Sequence, residues 1–411
     1  MFLASPAHAT PAHGRRLTLH LQAREAALRL LTAALAGALL GGCATAPESV
    51  PPAAALLHDG LFAAPSEAVD VAAVFAISPP MRQFADAARA AARGPRDLRH
   101  TLLHALGERD QLQLDYDDGR TRNAAEAFDK RAGNCLSLVL MTASFAKYLD
   151  LPLRYQSVQV RPLYSRAPDL TLASGHINVV LSSRLRVAQR DLVRGDELTV
   201  DFVPPEDLRG VSVRPLAENT VVAMYMNNRA AETLAAGQNA QAYAWAREAL
   251  HHDPRYLPGI NTLAVIYLRS GHTAPAEAAL RHVLAFAPED EAALSNLAGT
   301  LHRAGRGAEA EAVAARLARI QPYPPFHFLD LGRKALNEGR VDQARKLIAR
   351  ELRRQPYQHE AHFWAAVVDA TPGDADAAAQ HLRLARDYSG SPQQQARYSA
   401  KLEALRSPEH R

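Results

Sequence analysis

One cysteine, one histidine and one aspartate in this chain have types and settings suited to nucleophilic chemistry. Cys135 closes the run Ala124-Ala125-Glu126-Ala127-Phe128-Asp129-Lys130-Arg131-Ala132-Gly133-Asn134-Cys135 and leads into Leu136–Leu149, a segment apolar on nearly all sides. That pattern predicts a buried central helix with Cys135 in its first turn. At a helix start, unpaired N–H groups and the positive end of the dipole favour thiolate over thiol. The same N–H groups can hold an oxyanion. A nucleophilic thiol also needs an imidazole to take its proton and a third group to orient the ring.

The elements that must supply those groups follow later in the chain. Gly175–Leu181 reads as a strand carrying His176, and Leu198–Val203 as a strand carrying Asp201. Period-two alternation puts His176 and Asn178 on one face, and Thr199, Asp201 and Val203 on one face, so adjacent antiparallel strands would let histidine and aspartate meet. Each residue also has an ordinary reading. Cysteine is among the residue types most often buried for packing, a core histidine is satisfied by any neighbour, and an aspartate before Pro204-Pro205 can end a strand. Upstream, Leu102, Leu103 and Leu106 suggest short helices, and Asp115–Gly119 suggests a turn.

A helix-borne cysteine in Arg131-Ala132-Gly133-Asn134-Cys135, then a Gly-His strand, then a Val-Asp strand, resembles the transglutaminase-like superfamily. The resemblance covers residues 69–218 and extends to Ala125–Phe128 before the cysteine and Leu151–Tyr155 after its helix. It implies an α+β, papain-like core with Cys135 as nucleophile, His176 as general base and Asp201 as orienting carboxylate. It further implies a thiol hydrolase or acyltransferase acting on a peptide or amide bond. No cofactor is expected; no acidic loop has calcium-site spacing, and no phosphate loop or metal-ligand cluster is recognisable. His359 and His362 lie three apart, not at zinc-helix spacing.

The second half of the chain is periodic. Gly237, Gly271, Gly305, Gly339 and Gly373 are spaced 34 apart, as are Ala242, Ala276, Ala310, Ala344 and Ala378, and as are Pro254, Pro288, Pro322 and Pro356. Glycine permits the turn between two helices, alanine lets them approach, and proline ends the second. A 34-residue helix–turn–helix unit of this kind resembles the tetratricopeptide repeat, with five units over residues 223–392 and a capping helix and tail over 393–411. The resemblance implies an all-α solenoid that holds a protein or peptide partner in its groove.

At the N-terminus, Arg15, Arg16, Arg24 and Arg29 precede the apolar run Leu30–Leu40, which ends in Leu40-Gly41-Gly42-Cys43. The run is shorter than the ~20 residues a membrane-spanning helix needs, and reads as a secretory signal over residues 1–42. Its end resembles the bacterial lipobox, which implies lipidation of Cys43 and membrane attachment through the acyl chains; Ala44 at the next position favours the outer membrane. Residues 43–68, rich in Ala and Pro, read as a tether. The expected setting is therefore an outer-membrane lipoprotein facing the periplasm.

Residues 1–42 carry four Arg and one Glu, a net +3, so the chain beyond them falls from +4 to about +1. No basic run with interleaved aromatics remains, and nucleic-acid binding is not expected. The competing expectation for function is a non-catalytic assembly factor that uses both domains as docking modules.

Overall fold

The computed structural model describes residues 52–107, 115–117, 120–167, 170–182, 197–202, 212–371, 373–389 and 392–406. The expected signal over residues 1–42 and the expected lipidation site Cys43 lie outside the described residues. Among those described, no helix is long and apolar enough to cross a membrane.

The first part is a helical layer on an antiparallel sheet. Helices α1 (Pro79–Ala91), α2 (Pro95–Gly107), α3 (Ala124–Lys130) and α4 (Cys135–Tyr148) surround or form its core. A short strand β1 (Asp115–Tyr116) pairs in parallel with β2 (Ala132–Gly133). Strands β3 (Leu153–Ala167), β4 (Leu170–Ser182), β5 (Glu197–Val200) and β6 (Val213–Leu216) form a sheet in the order β5-β4-β3-β6. Every pairing in that sheet is antiparallel, and β3 and β4 form a long hairpin whose register shifts between Val158 and Leu163. Helix α4 is buried from Leu136 to Ala146, which is why its sequence is apolar on all sides. Phe84, Phe128 and Phe145 meet with ring centroids 5.5–5.8 Å apart and pin α1 and α3 to α4.

Two expectations need correction here. The polar stretch read as a turn contains strand β1; its backbone finds ladder partners that composition does not reveal. Strand β5 ends at Val200, leaving Asp201 just beyond the ladder.

The second part is a run of paired helices: α5 (Glu218–Ala235) with α6 (Asn239–His252), α7 (Leu257–Arg269) with α8 (Thr273–Phe286), α9 (Glu291–Arg303) with α10 (Gly307–Ile320), α11 (His327–Asn337) with α12 (Val341–Arg354), and α13 (His359–Ala370) with α14 (Ala375–Asp387). Each pair turns on a glycine with φ between 74° and 91°, a left-handed conformation that other residues adopt at a cost. The residue after each glycine donates its N–H to a carbonyl five residues back, as in Gln238 to Thr233 at 3.0 Å and Arg306 to Leu301 at 2.9 Å. This is the six-to-one bond of a glycine-terminated helix. The five in-phase alanines are all buried. Helix α15 (Pro392–Arg406) lays Tyr398 and Leu402 on the apolar face of α14.

The boundary between the two parts is not a linker. Val221, Val222, Ala223, Tyr225 and Met226 of α5 belong to the core built on α4 and the sheet, whereas Ala230 and Leu234 of the same helix belong to the core of the first repeats. Glu218 anchors the shared helix by a 2.6 Å ion pair with Lys147 and by accepting a hydrogen bond from the Tyr155 hydroxyl at 3.1 Å.

The segment read as a tether is described from Pro52, and there it is packed rather than free. Ala53 and Leu56 are buried among repeat side chains. The Tyr267 hydroxyl donates to the Leu56 carbonyl at 2.7 Å and accepts from the His58 N–H at 3.1 Å. Phe62 stacks on Tyr243 at 4.2 Å, and the buried Gln241 amide takes bonds from Ser66 and Glu67 and gives one to the Glu67 carbonyl.

Candidate active site

The loop that carries Cys135 is shaped residue by residue. Asn123 caps α3 through a reciprocal box with Glu126. Arg131 ends α3 in the left-handed conformation, φ 52°. Gly133 follows because a Cβ there would sit 2.7 Å from Ser137 Cβ. Asn134 then caps α4, its Oδ1 accepting from the Ser137 N–H and hydroxyl, each at 2.9 Å. Cys135 is thereby fixed as the first residue of the helix. Its N–H and that of Leu136 have no acceptor within the helix.

The opposite wall comes from the sheet. In the β4–β5 ladder the last pair is Val179 with Val200. One step further brings Asp201 level with Asn178, on the face that Asn178 shares with His176. Asp201 Oδ1 lies 2.6 Å from His176 Nε2, and Asn178 Nδ2 donates to Asp201 Oδ2 at 2.9 Å. His176 and Asn178 are buried, 5% and 4% exposed, so this network is shielded from solvent screening.

Cys135 lies near enough to His176 to help raise its pKa. With Nε2 engaged by Asp201, Nδ1 is the ring nitrogen not committed to the carboxylate. Burial pulls the imidazole pKa down, but the hydrogen bonds and charges of Asp201 and Cys135 outweigh it and raise the pKa to about 9. Cys135 is a free thiol and is half-buried rather than sealed in the core. The structure thus brings together all three residues singled out in the sequence. Asn178, which sequence reading placed on the right face without a role, completes the group as the second donor to Asp201.

The support beneath the cysteine loop carries no local sequence signal. The buried Thr121 hydroxyl accepts from Asn134 Nδ2 at 2.9 Å and from Asn228 Nδ2 of α5 at 3.2 Å. The Thr121 N–H donates to Glu232 Oε1 at 2.6 Å, and Arg122 N–H donates to Ser137 Oγ at 2.8 Å. Among the described residues, no group of three or more His, Cys, Asp and Glu is placed to hold a metal ion.

The tetratricopeptide repeat family matches residues 233–293, spanning the α5–α6 turn to the start of α9. No curated protein sequence matches the chain. Among solved structures, a thermophilic tetratricopeptide protein of Thermus thermophilus is 20% identical with a TM-score of 0.28, over 44% of this chain and 98% of that one. PilF of Pseudomonas aeruginosa is 20% identical with a TM-score of 0.26, over 46% and 94%. YrrB, a tetratricopeptide protein with an unusual peptide-binding site, is 19% identical with a TM-score of 0.24, over 44% and 92%. Scores this low add nothing to the assignment, which rests on the family match and the 34-residue geometry. Residues 233–293 are similar to the tetratricopeptide repeat, a module that binds peptide or protein partners, and the other helix pairs repeat the same 34-residue geometry.

Proposed function

We propose that the protein is an envelope lipoprotein, anchored through Cys43 and facing the periplasm, whose Cys135–His176–Asp201 group performs transglutaminase-like thiol chemistry on a peptide or amide bond of a partner recruited by the repeats. The observation that carries this reading is the 2.6 Å contact of Asp201 with a buried histidine whose pKa is raised by that aspartate and by a cysteine at a helix start.

The chemistry follows from the positions. A histidine with raised pKa is able to take the thiol proton and keep it until the leaving group needs it. Cys135 Sγ attacks the carbonyl carbon, and the π electrons move to the oxygen, which the N–H groups of Cys135 and Leu136 receive. The His176 imidazolium gives its proton to the leaving nitrogen as the C–N bond breaks, releasing an amine and leaving a thioester. Neutral His176 then takes a proton from water, whose oxygen attacks the thioester; the C–S bond breaks, the acid departs and the thiolate is restored. An amine in place of water would give acyl transfer. Asp201 holds the ring through Nε2 in every step.

The test compares envelope extract incubated with the intact protein or with C135A, reading new peptide termini by mass spectrometry. Termini that depend on Cys135 are expected. Identical sets would overturn the enzymatic reading in favour of docking alone.

A further inference from the structure

The first repeat reaches into the cysteine site. Asn228 and Glu232 lie one helical turn apart on α5, so their side chains share a face, and both grasp the same residue, Thr121. Asn228 Nδ2 donates to the Thr121 hydroxyl, and Glu232 Oε1 accepts from the Thr121 N–H. Arg229 holds the other Glu232 oxygen at 2.5 Å, fixing the carboxylate from within the helix. Thr121 is 1% exposed, so these bonds face no competition from water.

From Thr121 the chain of contacts ends at the nucleophile. The Thr121 hydroxyl accepts from Asn134 Nδ2, and the other end of the Asn134 amide caps α4. Arg122, next in the loop, gives its N–H to Ser137 Oγ and closes the ring, while its guanidinium pairs with Asp117 at 2.7 Å. An amide side chain has two ends, and here each has one task. Asn134 Nδ2 is oriented by the loop that α5 holds, and Asn134 Oδ1 sets the first turn in which Cys135 sits. The packing has the same logic, since α5 contributes side chains to both hydrophobic cores.

The geometry points to Asn228 and Glu232 as positioning residues for the Cys135 thiol, which makes the first repeat a structural part of the reactive site rather than an appended arm. This rests on the thiol reading above, and it deepens that reading by stating how the repeats and the chemistry are joined.

The test is the pH profile of Cys135 alkylation by iodoacetamide in the intact protein and in N228A, E232A and E232Q, with melting temperature recorded for each. N228A and E232A should slow alkylation at pH 7 by about tenfold and move its midpoint upward, the size of effect expected from a lost buried hydrogen bond. E232Q keeps an oxygen acceptor for the Thr121 N–H and should stay within about twofold of the parent. If E232A fails to fold, N228A and E232Q carry the test. A folded N228A or E232A with the parent profile would overturn the proposal, as would a slow E232Q beside an unchanged N228A. A parent thiol with an ordinary midpoint would instead overturn the thiol reading itself, so the two failures are distinct.

Discussion

Asp201 meets His176 at 2.6 Å although the residue level with it across the strands is Asn178. The contact is a diagonal one, and Asn178 uses its level position to hold the second carboxylate oxygen at 2.9 Å. An aspartate held at both oxygens cannot swing, so the histidine it orients is fixed as well.

That arrangement predicts a pH dependence of stability. His176 has its pKa raised to about 9 from an ordinary value of 6.5. Its favourable interactions in the folded state are fully present below 6.5 and are lost as pH rises through about 9. In C135A, where no thiol titrates beside the ring, urea unfolding should show stability falling as pH rises above 6.5, by less than the ~3 kcal/mol of the full shift. H176Q should flatten that fall; an equal fall in H176Q would refute the assignment.

Substitution of Gly133 by alanine should destabilise the protein by ~1–3 kcal/mol, because the new Cβ would meet Ser137 Cβ at 2.7 Å. Alanine at Asn134 should cost ~1 kcal/mol or more through the lost cap. Denaturant midpoints check both, and wild-type values for either would contradict the account of this loop.

Much of this is readable from sequence and some is not, for physical reasons. The repeats are legible because left-handed turns, close helix contacts and helix stops each demand a residue type, so Gly237, Ala242 and Pro254 announce themselves at a fixed period. The helix starting at Cys135 and the strand of His176 are legible because apolar runs and alternation are local. The grip of Asn228 and Glu232 on Thr121 spans 107 and 111 positions, and no local pattern encodes it. The segment from Pro52 reads as spacer because its Ala and Pro content hides Leu56 and Phe62, whose partners Tyr267 and Tyr243 lie in distant repeats.

The packed segment gives its own prediction. L56A should cost ~2–5 kcal/mol, as expected for truncating a buried leucine. It should also expose residues 52–67 to limited proteolysis. A free tether would show neither change.

The last repeat should loosen in acid. Burial lowers the pKa of His359, His362 and His381; an Asp369 charge opposes this at His381, and a bond to the Pro356 carbonyl opposes it at His362. His362 Nδ1 and His381 Nδ1 face each other at 2.9 Å, so only one of them carries the proton between them. Groups with lowered folded pKa give stability that is present above 6.5 and lost as pH falls below it. Hydrogen exchange in α13–α15 should therefore accelerate from pH 7 to pH 5 more than exchange in α7–α8. Equal acceleration in both regions would contradict this.

The central claim is that Cys135 is a thiol activated by His176. The most direct measurement is the rate of Cys135 alkylation by iodoacetamide against pH, in the intact protein and in H176A, with Cys135 followed by peptide mass. The account predicts fast alkylation at neutral pH with a midpoint well below the ~8.5 of a free thiol, and return of that midpoint towards the free value in H176A. A slow or ordinary Cys135 whose profile is the same in H176A would contradict it.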